Sequence, residues 1–293
     1  MIRPEIAELA ATHGLQINPS AITVVEAGLD YRAAFAVDDD GTDWVLRIPR
    51  RADVSDKIPD EARILDFVRS RLSAAVPEWK IHTRDLIAYP LLPGTPGLTL
   101  NDAGEPEFHF DQENRHYARQ LGRLISELHS MSPDEAKAAG IPTQSPEDVR
   151  EEWRARLERV SAEFSLNDAL SHTWHTWIQD DELWPEYTAF THGELYPAHL
   201  LLNDNCDILS VLDWTTAKVG DPAVDFMYQR MMSTPEAFAE TLGAYAEITG
   251  QRPRHLEERC DALIAAGPLT YADYALTTGD PIDADAATKL LNP

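Results

Sequence analysis

The stretch Thr191–Asp213, with the sequence THGELYPAHLLLNDNCDILSVLD, decides how the rest of the chain is interpreted. An apolar run covers His199–Leu202, and a second apolar run covers Ile208–Leu212. Between them lies Asn203-Asp204-Asn205, whose side chains favour turns because they bond to their own backbone and tolerate left-handed dihedrals. The pattern predicts two strands joined by a tight turn, which is a β-hairpin.

A hairpin brings its two outer ends together, and both ends of this one carry groups that can bind a metal. Glu194 and His199 at one end are expected to face Asp213 at the other. Converging carboxylate and imidazole ligands suit a divalent metal and a phosphate-transfer site. The alternative is an ordinary hairpin whose polar ends are only solvated.

The sequence that continues from the hairpin adds several elements in a fixed order. They are His192-Gly193-Glu194-Leu195, His199, Asp213-Trp214 and Gly220-Asp221-Pro222-Ala223-Val224-Asp225. This order resembles the signature of the aminoglycoside/macrolide phosphotransferase family, a branch of the protein-kinase-like fold. His199, where aminoglycoside enzymes have Asn, is similar to the macrolide 2'-phosphotransferases. Glu194 departs from the pattern, because the family has its catalytic Asp at that position.

The composition is that of a globular protein with a large negative charge. Of the 293 residues 43% are apolar, and 25 basic residues stand against 50 acidic ones, for a formal net charge of −25. This charge argues against nucleic acid or an anionic membrane as partner and favours a basic small molecule, although it also fits general solubility. The cysteines, Cys206 and Cys260, indicate no disulfide framework. We expect no signal peptide and no membrane span, and a cytoplasmic monomer.

Alternating apolar patterns in the first third of the chain predict a small antiparallel sheet preceded by a helix over Met1–Gly14. A second helix is predicted from Pro59, in its first turn, to Leu72. We therefore expect an α+β, bilobal protein-kinase-like fold, with an N-terminal five-stranded antiparallel sheet with a helix and a larger, mainly helical C-terminal lobe. The expected strands are Ile22–Glu26, Ala33–Val37, Trp44–Ile48, Trp79–His82 and Leu86–Leu92.

The segment Pro93–Gly97 breaks the pattern and is the candidate hinge. Residues 1–92 are then the N-terminal nucleotide-binding lobe, residues 93–97 the linker, and residues 98–293 the C-terminal helical lobe with the catalytic loop and acceptor cleft. Helical spacing and capping residues predict the helices of this lobe. They are expected at Asp111–Met131, Ser145–Phe164, Ala169–Trp177, Ala223–Met232, Pro235–Thr249, Pro253–Ala266 and Pro281–Leu291.

A kinase-like site needs a cation near the phosphates and a carboxylate that holds the cation in place. Arg47 on the third strand and Glu61 on the next helix are the expected ion pair, although a surface Arg and a solvated Glu would fit the same pattern. The loop Gly28-Leu29-Asp30-Tyr31-Arg32 is similar to one in the macrolide enzymes and would cover the phosphates, unless it is a plain turn. The expected nucleotide-binding residues are Gly28, Tyr31, Arg32, Arg47, Glu61, Tyr89, Leu91 and Leu92.

The acceptor is expected beside Glu194 in the helical lobe, where the chain supplies aromatic and apolar side chains. Methionine and aromatic side chains of this kind belong to a core more often than to a pocket. A macrolide is a large apolar ring that bears a basic amino sugar, and an acidic protein with an apolar cleft suits it. The expected acceptor-binding residues are Tyr196, Phe226, Met227, Met231, Tyr271 and Tyr274.

The resemblance to the macrolide 2'-phosphotransferases covers nearly the whole chain and implies the reaction. The γ-phosphate of GTP, or of ATP, would move to the 2'-hydroxyl of the macrolide's amino sugar and inactivate the antibiotic. Mg²⁺ would be held by His199 and Asp213, Glu194 would orient or deprotonate the hydroxyl, and Arg47 would hold the phosphates. Two alternatives stay open: a kinase of an aminoglycoside or other small amino alcohol, and a catalytically weakened nucleotide- or drug-binding protein.

Overall fold

The computed structural model describes residues 2–26, 28, 30–101 and 103–293, so Leu29 of the predicted phosphate loop lies outside the described residues. The chain forms two compact units. The first unit contains Met1–His109, Ala139–Ile141 and Pro197–Thr216. The second unit contains Phe110–Ala138, Pro142–Tyr196 and Ala217–Pro293.

The regular secondary structure of the described residues consists of short strands and longer helices. In chain order the strands are β1 Thr23–Val25, β2 Tyr31–Val37, β3 Asp43–Pro49, β4 Ile81–His82, β5 Ile87–Pro90, β6 Thr95–Pro96, β7 Leu98–Leu100, β8 Pro106–Phe108, β9 Ala189–Thr191, β10 Leu200–Leu202, β11 Ile208–Val211 and β12 Lys218–Gly220. The α-helices are α1 Arg3–Thr12, α2 Ala52–Val68, α3 Arg115–His129, α4 Pro133–Ala138, α5 Pro146–Glu163, α6 Asp168–Gln179, α7 Val224–Met232, α8 Pro235–Thr249, α9 Leu256–Ala265, α10 Gly267–Thr278 and α11 Pro281–Leu291. None of the described helices is both long and apolar enough to cross a membrane.

The main sheet of the first unit has, among the described residues, five antiparallel strands in the order β1-β2-β3-β5-β4. In its register Tyr31 lies opposite Pro49, at the end of the sheet that leads into helix α2. Helix α1 packs on the sheet, and its Ile6 and Ala10 share a core with Ile22, Leu46 and Ala88. The predicted five-stranded sheet and N-terminal helix are both confirmed.

Helix α2 corrects one prediction. It begins at Ala52 and ends at Val68, so Pro59 lies inside the helix and not in its first turn, and Leu72 lies beyond its end. A proline inside a helix removes one backbone hydrogen bond and destabilises it. Burial of a continuous apolar face offsets this cost. That face contains Val54, Ile58, Ile64, Leu65 and Val68.

The predicted hairpin is present in the first unit, where β10 pairs with β11 and also with β6. Strand β6 lies within the candidate hinge, and Gly94 next to it has a φ of 99°. A Cβ on Gly94 would lie 3.0 Å from the carbonyl carbon of Leu201, so this close approach requires glycine. The predicted lobes differ from the two units: residues 98–109 and Pro197–Thr216, which the prediction assigns to the C-terminal lobe, belong to the first unit. The lobe boundary at residues 93–97 stays a prediction.

The second unit is mainly helical, and its helices α3 and α8 pack closely along their lengths. Gly122 on α3 makes this approach possible, because a Cβ there would collide with the carbonyl oxygen of Thr241 on α8. Tyr117, Leu121 and Leu128 on α3 are buried in this packing, as are Phe238, Leu242 and Tyr245 on α8. Strand β9, which leads into the His192 loop, pairs with β12 in the same unit.

Most helix predictions for the second unit are confirmed. Helices α8 and α11 have the predicted bounds, and Ser145 caps α5 by accepting a hydrogen bond from the Asp148 amide at 3.2 Å. Helix α10, Gly267–Thr278, was not predicted. Its cap position is Ala266, which has no capping side chain, its threonines are poor helix formers, and its inner face is formed mostly by alanine. The buried residues of that face are Leu269, Ala272 and Ala275.

Candidate active site

Hydrogen bonds fix the hairpin at both its closed and its open end. The Asn203 side-chain oxygen accepts from the amides of Asn205 and Asp207, at 2.9 and 3.0 Å, and so stabilises the turn as its sequence predicts. At the open end the Leu212 amide donates to the carbonyl of His199 at 2.8 Å. His199 and the residue that follows Leu212 are therefore held side by side.

That following residue is Asp213, and its backbone is left-handed with a φ of 58°. Such a conformation is uncommon for residues other than glycine, and Asp is among the side chains that tolerate it. The Asp213 carboxylate lies 3.8 Å from Nε2 of His199, and both side chains are partly exposed. It also accepts a hydrogen bond of 2.6 Å from the Thr215 hydroxyl. His199 and Asp213 thus offer an imidazole nitrogen and a carboxylate oxygen to a cation.

The predicted ion pair between Arg47 and Glu61 is present in the first unit. Nη1 of Arg47 donates to Oε1 of Glu61 at 2.8 Å, and only 12% of the Arg47 side chain and 2% of the Glu61 side chain are exposed. The guanidinium also lies over the ring of Tyr31, 4.0 Å from its centroid. Held by an ion pair and a cation–π contact, Arg47 has little freedom to reorient.

Arg47 and Glu61 both interact electrostatically with Asp213. Burial favours a lower pKa for Arg47, but the carboxylates of Glu61 and Asp213 outweigh it and raise the pKa of Arg47, which keeps its charge. Burial raises the pKa of Glu61; Arg47 opposes the shift and Asp213 reinforces it. Burial also raises the pKa of Tyr89 to about 12. The first unit therefore brings Arg47, Glu61, Tyr89, Tyr31 and Asp213 into one electrostatic cluster.

The predicted phosphate loop is tied down by two arginines whose role the sequence did not indicate. Arg50 donates to the Gly28 carbonyl at 2.9 Å and to the Glu26 carboxylate at 2.6 Å. Arg51 donates to the Asp30 carboxylate at 2.7 Å. Arg32, predicted to bind nucleotide, is itself paired with Glu26 at 2.6 Å.

The last strand of the sheet leads to the remaining predicted nucleotide-binding residues. Tyr89 is buried in β5, while Leu91 beyond the strand end is 47% exposed and Leu92 is partly exposed. The Leu91 amide donates to the carbonyl of Asp43 at 2.8 Å. Strand β5 ends at Pro90, so Leu91 and Leu92 follow the strand, and the contact of this segment with a purine stays a prediction.

In the second unit, Glu194 follows two residues whose backbone is fixed by a buried carboxylate. The Gly193 amide donates to Oδ1 of Asp225 at 2.7 Å, and the His192 amide donates to Oδ2 at 3.2 Å. The Glu194 amide in turn donates to Nδ1 of the buried His192 ring at 3.2 Å. Asp225 belongs to the sequence motif, but its part in fixing this loop became visible only in the structure.

One predicted acceptor-binding residue, Tyr196, lies beside Glu194 in the second unit, where its amide donates to the Glu194 carbonyl at 2.7 Å. The rings of Tyr196 and Tyr228 are 5.3 Å apart. Burial raises the pKa of Tyr228 to about 12, and the Glu194 charge adds to the shift. Met227 on the same helix is partly exposed and Met231 is 47% exposed. Tyr228 was not predicted, because its letter alone does not show which helix face points outward.

A cleft of about 420 Å³ begins beside Met231 in the second unit. Its apolar lining includes Pro235, Phe238 and Ile264, and its polar lining includes Asp261 paired with Arg230 at 2.9 Å. Met231, three residues after Tyr228 on α7, therefore contributes an apolar side chain to the lining of this cleft.

The remaining acceptor predictions fare differently. Phe226 was wrong: it is fully buried and packs edge-on against His129 and Tyr245, so no surface of it can meet an acceptor. Tyr271 lies on α10, where its hydroxyl donates to Asp283 of α11 at 3.1 Å and its ring contacts Tyr274. For these two tyrosines acceptor binding stays a prediction.

Comparison with known proteins agrees with this geometry. Residues 21–259 match the family described as "Phosphotransferase enzyme family". The macrolide 2'-phosphotransferase MphH of Brachybacterium faecium is 46% identical in sequence, with a TM-score of 0.90 over 99% of this chain and 97% of that one. A macrolide 2'-phosphotransferase of type I is 34% identical, with a TM-score of 0.92 over 99% and 96% of the two chains.

A curated relative, the uncharacterised protein YcbJ of Bacillus subtilis strain 168, is 36% identical over 94% of this chain and 90% of its own length. The family match covers more than half of the chain, and the resemblance noted in the sequence is confirmed. The chain belongs to the phosphotransferase enzyme family and has its kinase-like fold.

Proposed function

We propose that this phosphotransferase transfers the γ-phosphate of GTP to the 2'-hydroxyl of a macrolide's amino sugar and thereby inactivates the antibiotic. The observation that carries the choice of acceptor is the likeness, over nearly the whole chain, to two macrolide 2'-phosphotransferases. The observation that carries the reaction is the arrangement of His199 and Asp213 in the same unit as the Arg47–Glu61 pair.

Mg²⁺ suits the proposed donor site. The two candidate ligand atoms, on His199 and Asp213, are 3.8 Å apart, which is less than twice the metal–oxygen distance of about 2.1 Å. Asp213 is the ligand type that Mg²⁺ prefers, and His199 supplies a nitrogen at the position where aminoglycoside enzymes have Asn. A metal bound there would neutralise the negative charge that the phosphates present to the attacking hydroxyl.

Residues of the chain itself do the rest of the work in the proposed reaction. Arg47 would bind phosphate oxygens with its guanidinium fork, which Glu61 and Tyr31 hold in one orientation. The Gly28 loop, tied by Arg50, would cover the same phosphates. Glu194 would accept a hydrogen bond from the acceptor hydroxyl and so direct its oxygen toward the γ-phosphorus.

Apolar and acidic groups of the second unit support a macrolide acceptor. Tyr196, Tyr228 and Met231 offer apolar surface to a macrolactone ring. The Glu194 carboxylate and the net charge of −25 both favour a basic amino sugar. Because its donor is an intracellular nucleotide, the proposed enzyme would work in the cytoplasm.

A panel of acceptors at fixed GTP and Mg²⁺ tests this proposal. A fourteen-membered macrolide, an aminoglycoside and a simple amino alcohol are each incubated with the protein, and GDP release is measured with and without acceptor. We expect acceptor-dependent GDP release with the macrolide. Release with the aminoglycoside or the amino alcohol instead would replace macrolide as the acceptor and leave the phosphotransferase assignment intact.

A further inference from the structure

Ser210 on β11 is a polar residue in a fully buried position of the first unit, with 0% of it exposed. In the hairpin register it lies opposite Leu201, and on the other edge of the strand it bridges to Ala75. A buried hydroxyl is costly unless it has a hydrogen-bond partner. The partner here is the carbonyl of Pro93, to which Oγ of Ser210 donates at 2.8 Å although 117 positions separate the two residues.

Pro93 begins the candidate hinge of residues 93–97, and this segment is joined to the hairpin along its length. Strand β6 in the segment pairs with β10, and Gly94 approaches Leu201 so closely that a Cβ would lie 3.0 Å from the Leu201 carbonyl carbon. The segment is therefore held as the third strand of the sheet that contains the hairpin. The Ser210 bond lies at the start of this contact, directly after Leu92.

The two segments that Ser210 joins are the predicted sites of the two ends of the donor nucleotide. Leu91 and Leu92, which precede Pro93, are predicted to contact the purine. His199 and Asp213, at the open end of the hairpin, are the candidate ligands of the metal that binds the triphosphate. A ligand gains full affinity from both of its ends only when the two binding segments are held in place beforehand, because a loose segment must be ordered on binding.

We propose that Ser210 is a positioning residue for the donor: its bond to Pro93 holds the base-binding segment Leu91–Leu92 at a fixed separation from His199 and Asp213. The proposal rests on the donor site of the proposed function. The alternative is that Ser210 only provides a hydrogen bond to a buried carbonyl. The two differ in whether loss of the hydroxyl weakens the whole nucleotide more than its phosphates alone.

Ser210→Ala removes the hydroxyl, and Ser126→Ala is the matched control. Ser126 on α3 is 1% exposed, and its hydroxyl also donates to a backbone carbonyl, that of Arg123 at 2.6 Å. For each protein we would measure the melting temperature and, in Mg²⁺ without acceptor, the Kd of GTP and the Kd of inorganic tripolyphosphate. Tripolyphosphate has the phosphates but no base, so its Kd reports on the metal and phosphate contacts alone.

Both variants lose one buried hydrogen bond, so we expect both to melt a few degrees below the wild type. Ser210→Ala should bind GTP about five- to tenfold more weakly, the range that one such bond contributes to an equilibrium constant, and tripolyphosphate as the wild type does. Ser126→Ala should bind both ligands normally. Unchanged GTP binding in Ser210→Ala, or an equal loss for GTP and tripolyphosphate, would overturn the proposal.

If Ser210→Ala does not fold, Ser210→Cys provides the contrast, because a thiol fills the position and is a weaker donor than a hydroxyl. We expect a smaller loss of GTP affinity in this variant, with the tripolyphosphate Kd unchanged, and a wild-type ratio of the two constants would refute the proposal. A wild type that binds GTP no more tightly than tripolyphosphate would refute it as well, since the base segment would then contribute nothing. Absence of macrolide phosphorylation, with the predicted binding pattern, would count against the acceptor alone.

Discussion

The sequence resemblance implies Asp at position 194, where this chain has Glu, and Glu194→Asp is the substitution that tests the difference. Glu has one more methylene than Asp. An extra carbon–carbon bond of roughly 1.5 Å displaces the carboxylate unless the backbone shifts to compensate. The structure opposes such a shift, because the amides of His192 and Gly193 are held by the fully buried Asp225 at 3.2 and 2.7 Å.

A misplacement of about 1 Å can lower a rate on the order of 100-fold. This corresponds to about 2.7 kcal/mol of activation free energy, since each tenfold in rate is about 1.36 kcal/mol. We therefore expect Glu194→Asp to raise kcat, by up to about 100-fold, with little change in the nucleotide KM, because the substitution leaves Arg47, Glu61 and Asp213 as they are.

The assay is GDP release at saturating GTP and Mg²⁺, with and without a macrolide, for the wild type, Glu194→Asp and Glu194→Gln. The Gln variant keeps the length of Glu and removes its charge, so it should have the lowest kcat. A lower kcat in Glu194→Asp than in the wild type would refute the reasoning and show that the loop, with Pro197 and Ala198, is adjusted to the longer side chain. Equal rates in all three proteins would show that position 194 does not supply the catalytic carboxylate.

Three further predictions concern the donor side. Asp213→Asn should abolish Mg²⁺-dependent turnover without lowering the melting temperature much, since Asp213 is partly exposed; near-normal activity in Mg²⁺ would remove it from the metal site. The ratio of kcat/KM for GTP to that for ATP should exceed one, and a clear preference for ATP would overturn the choice of GTP as the donor. Burial raises the pKa of Glu61 from its ordinary 4.5, so the stability it contributes is present below pH 4.5 and is lost as the pH rises through the raised pKa. Thermal melts of wild type and Glu61→Gln should therefore show the variant gaining on the wild type from pH 4 to pH 7, and the opposite trend would mean that the pairing with Arg47 outweighs burial.

The parts of the fold that were predictable have local signals. The hairpin follows from Asn203-Asp204-Asn205 between two apolar runs, and helices α8 and α11 begin at a proline that follows a capping Thr234 or Asp280. Pro59 misled the prediction because proline marks a helix start more often than a helix interior. Helix α10 has Pro268 in its first turn and Gly279 at its end, but Ala266 at its cap position provides no capping side chain and its buried face consists of small side chains, so its signal was weak.

The candidate site shows the same division. The ion pair between Arg47 and Glu61 could be predicted from the sequence, because the order of strands and helix in a kinase-like N-terminal lobe places the two residues together. The pair is present, at 2.8 Å. Phe226 could not be assigned to the core from its letter, because a fully buried Asp225 precedes it and a partly exposed Met227 follows it in α7. The contact of His129 with Asp225 joins residues far apart in the chain, and only the packing of α3 against α8 and α7 reveals it.

The hydroxyl that receives the phosphate identifies the reaction of this phosphotransferase most directly. Wild type and Glu194→Asp are incubated with a fourteen-membered macrolide, GTP and Mg²⁺, with Asp213→Asn as the inactive control, and the product is analysed by mass spectrometry and phosphorus NMR. We predict a macrolide that carries one phosphate on the 2'-hydroxyl of its amino sugar, absent with the control. Phosphate at another hydroxyl, or an unmodified macrolide with both active proteins, would contradict the account.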